Sequence, residues 1–291
     1  MEKAIHSGRS KASALGKKGA GRSAHVMNPE CLALIENFRL MDDTFMSKCL
    51  ENAPECIELI LRVIIGKKDL KVIKSQTEYP IKSLQGRGVR FDVFARDSKG
   101  REYDIEIQRA DKGAEPKRAR YNSALMDANA LKSGEDFGKL RDTYVIIITE
   151  NDVMGRGQGV YVFDRMDKKC GLDFGDGAHV VYANGMWRGD DALGRLMCDF
   201  NCRDANKMHY DVLKKRVSQL KNSEEGRRIM CKAVEEFAER RAAEAKAEGE
   251  RKTMLATAKR MLESGMLALK DIAKFSGLSL VQVKKLQAEM A

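Results

Sequence analysis

The stretch that most restricts how this chain can fold runs from Val89 to Arg109, VRFDVFARDSKGREYDIEIQR, and reads as two strands joined by a tight turn. Phe91, Val93 and Ala95 alternate with Asp92 and Phe94 on the first arm, and Ile105 and Ile107 alternate with Asp104, Glu106 and Gln108 on the second. A period of two on both arms predicts half-buried strands. Ser98-Lys99-Gly100 suits a three-residue hairpin loop, in which a type I turn ends on a left-handed residue that glycine occupies without steric cost. Asp97 then faces Arg101, and stepping back along both arms sets Asp92 opposite Glu106.

That register predicts a chemical site. Cross-strand partners on one face hold their Cβ atoms roughly 4.5–5.5 Å apart, and two carboxylates at that separation repel unless a positive charge lies between them. Hard oxygen donors suit magnesium or manganese, and Gln108 shares the face of Asp92 and Glu106. The competing reading is a solvated hairpin whose acids are neutralised by Arg90, Arg101 or Arg109. Hydrophobic residues flank both acids, which favours a sheet with little room for casual charge.

At these residues the chain resembles the PD-(D/E)XK nuclease superfamily, and within it the PD-(D/E)XK transposases or recombination-promoting nucleases. The matching pieces are the acid of FDVF (Asp92), the hairpin, and the E-x-Q of IEIQR (Glu106, Gln108). LMDDTFM, DLKV, IKSLQGRGVR, DKGAEPKRARYNSALMDAN, YVIIITENDV, FGDGAHVVYANG and LGRLMCDF also look like family sequence, in family order. The resemblance covers roughly residues 40–240.

It implies a restriction-endonuclease-like α/β fold: a mixed sheet with the hairpin at its centre, helices on both faces, and a helical C-terminal extension. It also implies metal-dependent hydrolysis of DNA phosphodiesters, with Asp92, Glu106 and the backbone carbonyl of Ile107 holding magnesium and Gln108 orienting the attacking water. Arg118 and Arg120 would hold the phosphate, and Asp42, three residues before Phe45, would be an additional acid from the first helix, with Asp43 its rival. Gln108 departs from the superfamily's usual lysine; a glutamine hydrogen-bonds water but is no base near neutral pH. The alternative function is a catalytically weak or inactive nuclease fold that binds DNA.

The net charge of +10 favours polyanionic partners, nucleic acid first. Residues 1–28 are small, polar and basic, and predict a disordered arm; Met27 offers a second start, in which case the arm would not exist. A helical stripe over 30–50 runs through Ile35, Phe38 and Phe45. A core helix follows from Pro54 to Gly66, then a strand from Leu70 to Glu78. Lys82, Arg87 and Arg90, between that strand and the hairpin, are candidate phosphate contacts.

After Gln108 a helix is expected from Glu115 to Leu131, with Tyr121, Ala124, Leu125, Ala128 and Leu131 buried. Lys117, Arg118 and Arg120 crowd its N-terminal end, where cations are unfavourable by about 0.3–1 kcal/mol each. Either a phosphate compensates them, or a network with Glu115 or Asp111 does. Tyr144–Thr149 predicts a strand buried on both faces, with further strands at 160–163 and 179–182.

The expected organisation is the arm over 1–28, a nuclease-like core over 29–205, a charged helical linker over 206–252 that Gly249 interrupts, and a small helix-turn-helix-like unit over 253–291. That last unit either binds DNA, or is a small helical hairpin that docks on the nuclease core or pairs two copies of the chain. Seven cysteines without a CxxC pair, no secretory segment and no long apolar run predict reduced thiols, a cytoplasmic location and no membrane partner. Cys198, Cys202 and His209 lack the fourth ligand and the spacing of a structural zinc site.

Overall fold

The computed structural model describes residues 28–83 and 86–290. Of the expected arm only Asn28 falls among them, and Met27 lies outside the described residues.

The hairpin turn forms as its chemistry dictates. Gly100 takes φ +83°, and the Gly100 amide donates to the Asp97 carbonyl at 3.0 Å. The buried Asp97 carboxylate gathers the amides of Lys99 and Arg101, the Arg101 guanidinium and the Tyr103 hydroxyl. A turn anchored this firmly fixes the register of β2 (Val89–Asp97) against β3 (Glu102–Gln108), with Val93 opposite Ile105 and Phe94 opposite Asp104.

Around this pair the sheet is completed by β1 (Val72–Ile81), β4 (Thr143–Thr149), β5 (Val160–Phe163) and β6 (Ala178–Asn184), in the order β1-β2-β3-β4-β6-β5. β3, β4 and β6 run parallel and the other neighbours antiparallel, so the sheet is mixed, as expected. The hairpin holds the second and third places, and the sheet's midline falls between β3 and the wholly buried β4. β1 begins and ends later than the sequence suggests.

Helices cover both faces. On one lie α1 (Pro29–Asn37), α2 (Asp43–Leu50), α3 (Pro54–Ile65), α5 (Ala192–Asn201), α6 (Asp211–Asn222) and the start of α7 (Glu224–Ser264), packed on Val93, Ile105, Ile146 and Val181. On the other, α4 (Pro116–Ala130) packs Ala119, Leu125 and Met126 against Phe94, Val145 and Ile147. A third, separate core forms where the end of α7 meets α8 (Leu269–Ser276) and α9 (Leu280–Met290), through Ala258, Ile272, Leu278 and Val283. α7 runs unbroken through Gly249, so the expected interruption there is absent.

Three more local readings are corrected. The stripe over 30–50 is two helices, because Leu40 and Met41 turn into the core and the Met41 amide donates to the Phe200 carbonyl at 3.1 Å. Of the stripe expected on α4, only Leu125 is buried; the inward face also carries Asn122 and Ser123, whose polarity hid its phase. Cys31 and Cys231 form a disulfide between α1 and α7, Cα atoms 5.8 Å apart, against the expectation of reduced thiols throughout. Among the described residues no helix is long and apolar enough to cross a membrane.

The buried Lys221 ammonium closes the helical layer, donating to the carbonyls of Glu36, Phe38 and Arg203 at 3.0, 2.6 and 2.6 Å. Lys221→Ala leaves these acceptors without their charged donor and is expected to cost about 1.5–3 kcal/mol, the worth of a hydrogen bond to a charged group. Urea melts monitored by circular dichroism give the value; an unchanged midpoint would show the lysine to be dispensable.

Candidate functional site

The β2–β3 ladder stops at Val93 and Ile105, and beyond it side chains replace the backbone pairing. Asp92 Oδ2 accepts the Ile107 amide at 2.9 Å, while Glu106 Oε1 accepts the Asp92 amide at 3.4 Å. The two carboxylates are therefore interlocked across splaying strand ends. Gln108 Nε2 donates to Glu106 Oε2 at 3.4 Å.

Glu106 is 1 % exposed, while Asp92 is half-buried. Arg101 is committed to Asp97, and Arg109 to Asp42 and Glu150, so neither neutralises the pair. Arg118 of α4 does so instead, reaching Glu106 Oε2 directly. Neither Glu115 nor Asp111 takes this arginine; Asp111 accepts the Asn151 side-chain amide at 3.2 Å.

One arginine does not balance the cluster. Burial, then the charges of Glu106 and Asp43, push Asp92 well above the usual carboxylate range. Burial also raises Glu106, with Arg118 the largest opposing influence. A third acid, Asp104, is completely buried beside them, raised by burial and by Glu106, and accepts the Asn122 side-chain amide at 2.8 Å. The sequence carried a signal for Asp104, which lies two residues before Glu106 on the same strand face.

The expected acid from the first helix is corrected. Asp42 is the N-terminal residue flanking α2 and spends its oxygens on the Arg39 amide and on Arg109, both at 2.7 Å. Asp43 is the one that faces the site: it lines the same cleft as Asp92 and is raised by burial and by Glu78.

That cleft has a volume of about 950 Å³ and brings together Asp43, Asp92, Ile107, Gln108 and Arg118 with Lys82, Arg87 and Arg90. A neighbouring pocket of about 710 Å³ shares Arg87, Arg90 and Arg118 and adds Lys112, Lys117, Arg120 and Tyr121. Among the described residues Lys82, Arg87, Arg90, Lys117 and Arg120 make no ion pair, so a continuous rim of uncompensated cations adjoins the acids. Such a rim attracts polyanions.

Gln108 is held from below by Gly113. A Cβ built at Gly113 would lie 1.9 Å from Gln108 Oε1. In Gly113→Ala the flexible glutamine is the group that moves, so a reaction that depends on its position should slow by up to about 10²-fold, the scale of a 1 Å misplacement. Rate measurements beside a thermal melt distinguish this from unfolding, and an unchanged rate would remove Gln108 from the chemistry.

Residues 51–184 match the family model described as PD-(D/E)XK nuclease family transposase. Over this segment, a little under half of its length, the chain is similar to this nuclease family. No curated protein and no solved structure matches it. The matched segment contains Asp92, Glu106, Gln108 and every cation of the rim, while Asp43 and α7 lie outside it.

Divalent metals serve nucleases of this type. Among the described residues no three His, Cys, Asp or Glu side chains converge into a ready metal cage. Cys198, Cys202 and His209 form none either: His209 Nδ1 pairs with Asp199 at 2.8 Å and Cys202 with the Asp204 carbonyl at 3.1 Å. Two hard carboxylates with unrelieved repulsion do fit magnesium, which keeps several waters and takes one or two carboxylates plus substrate phosphate.

Proposed function

We propose that this protein is a metal-dependent DNA endonuclease of the transposase type. The observation that carries the reading is the interlocked, under-neutralised Asp92–Glu106 pair, whose Asp92 lines a cleft rimmed by cations. Asp92, Glu106 and the Ile107 carbonyl would hold magnesium, with manganese as a substitute and Asp43 as a further acid on the cleft. When bound, the ion lowers the pKa of a water and stabilises the charge that builds on the phosphorus oxygens.

The chain's own residues do the rest. Gln108, tethered to Glu106, offers its amide to orient the attacking water. Lys82, Arg87, Arg90, Lys117 and Arg120 position the DNA backbone through its phosphates. Arg118 contacts Glu106 in the free protein and lines the same cleft, where it would hold the scissile phosphate. Its ion pair with Glu106 also favours the second reading, a DNA-binding protein whose acids are already satisfied.

Incubation of supercoiled plasmid with magnesium, manganese or a chelator separates the two. Nicking that requires metal supports the nuclease. Salt-sensitive, metal-independent binding without nicking would leave the binding protein.

A further inference from the structure

The wall of the cleft is not built by the family-matched segment alone. Arg241 and Glu244, on α7, line it together with Asp43, Asp92 and Lys82. A helix that begins forty residues after the matched segment ends thus reaches the acids.

Its placement there is built rather than incidental. Arg240 Nη1 donates to Glu78 Oε1 at 3.3 Å. Glu78 sits in β1 with φ +49°, a left-handed conformation that a non-glycine residue keeps only where its surroundings enforce it. Arg240 and Arg241 both lie against the Phe237 ring, at 5.5 and 5.9 Å from its centroid, which orders the two guanidinium groups before any ligand arrives. Arg240 is consumed by the Glu78 clamp. Among the described residues Arg241 pairs only with Glu244, at 4.0 Å, the outer limit of an ion pair between exposed side chains. Its positive charge also reaches Asp43, where it opposes the effect of burial.

We propose that Arg241 is a substrate-binding residue that contacts a DNA phosphate from the α7 side of the cleft, opposite in sequence origin to the Lys82–Arg90 rim. The assignment rests on the DNA reading of this cleft. It makes α7 part of the substrate channel, with Arg240 and Glu78 as the clamp that holds it in place.

The test is binding of the full chain to a fluorescent DNA duplex in chelator across a salt series, with Arg241→Ala, Arg241→Lys and Arg251→Ala. Arg251 is exposed on the same helix and does not line the cleft. Loss of one phosphate contact should weaken binding several-fold and lower the slope of log K against log salt by about 0.9. Lysine should restore the slope, and Arg251→Ala should match the parent. Melts of each variant guard against unfolding, which would not selectively spare Arg241→Lys.

An Arg241→Ala variant with the parent's affinity and slope overturns the assignment, even if the parent cuts DNA. A parent that never cuts, yet binds DNA through Arg241, sinks the nuclease reading and leaves this contact standing. A parent without salt-dependent DNA affinity overturns both.

Discussion

Asp92→Ala and Glu106→Ala are each expected to reduce plasmid cleavage by about 10²–10³-fold or more, the loss seen when one preorganised electrostatic partner of a transition state is removed. The expectation comes from the way the two carboxylates are held. Asp92 is fixed by the Ile107 amide and Glu106 by the Asp92 amide, so neither can swing to replace the other. Loss of either breaks the interlocked pair that would hold a hard divalent ion and leaves too few donors there to compete with water. DNA binding in chelator should persist in both variants and even strengthen, because each removes negative charge beside the cationic rim. Nicking assays on native and variant proteins, purified in parallel, decide the matter. Variants that cut as well as the parent would show that the acids are not the site.

Asp92→Asn is expected to melt higher than the parent in metal-free buffer at neutral pH while losing cleavage. Asp92, Asp104 and Glu106 all have folded-state pKa values above their ordinary ones, from burial first in each case, and in Asp92 and Asp104 from the charge of Glu106 next. The folded chain therefore binds protons that the unfolded chain releases. The associated stability is fully present below the ordinary carboxylate pKa of about 4 and is lost as pH rises through the raised folded values. At neutral pH the cluster is thus a source of strain, and an isosteric amide at residue 92 removes one of its charges while keeping an oxygen for the Ile107 amide. Each kcal/mol recovered raises Tm by about 2–4 °C in a domain of this size. Scanning calorimetry from pH 5 to 8 should show the gap between variant and parent widening with pH and closing when excess magnesium is added to the parent. A variant less stable than its parent at every pH would refute the strain.

The hairpin was legible because three local codes agree: alternation on both arms, a glycine at the one turn position needing positive φ, and a polar Asp97 to tie the turn. Those codes alone predicted Asp92 against Glu106. What lay beyond local pattern was decided by tertiary packing. Leu40 and Met41 look like two more turns of helix until the core claims them, and that break is what puts Asp43 on the cleft and Asp42 on Arg109. α4 hid its buried face because Asn122 occupies it to satisfy Asp104, a partnership between residues eighteen apart. Arg118 illustrates the same limit, since crowding of cations at the start of α4 was readable but its partner was Glu106, on another element. Arg241 carried no signal in a stretch that is charged all round, and only the Glu78 clamp gives it a direction.

α7 is 41 residues long and unbroken. At about 1.5 Å per residue, the helical run from Arg241 at the cleft to Ala258 in the third core measures about 25 Å, close to the length of seven base pairs of duplex at 3.4 Å each. Rigid rods of fixed length act as rulers. If the cleft cuts DNA as proposed, anything bound by α8 and α9 would sit at a set offset from the acids, and the helix would translate a position of attachment into a position of incision.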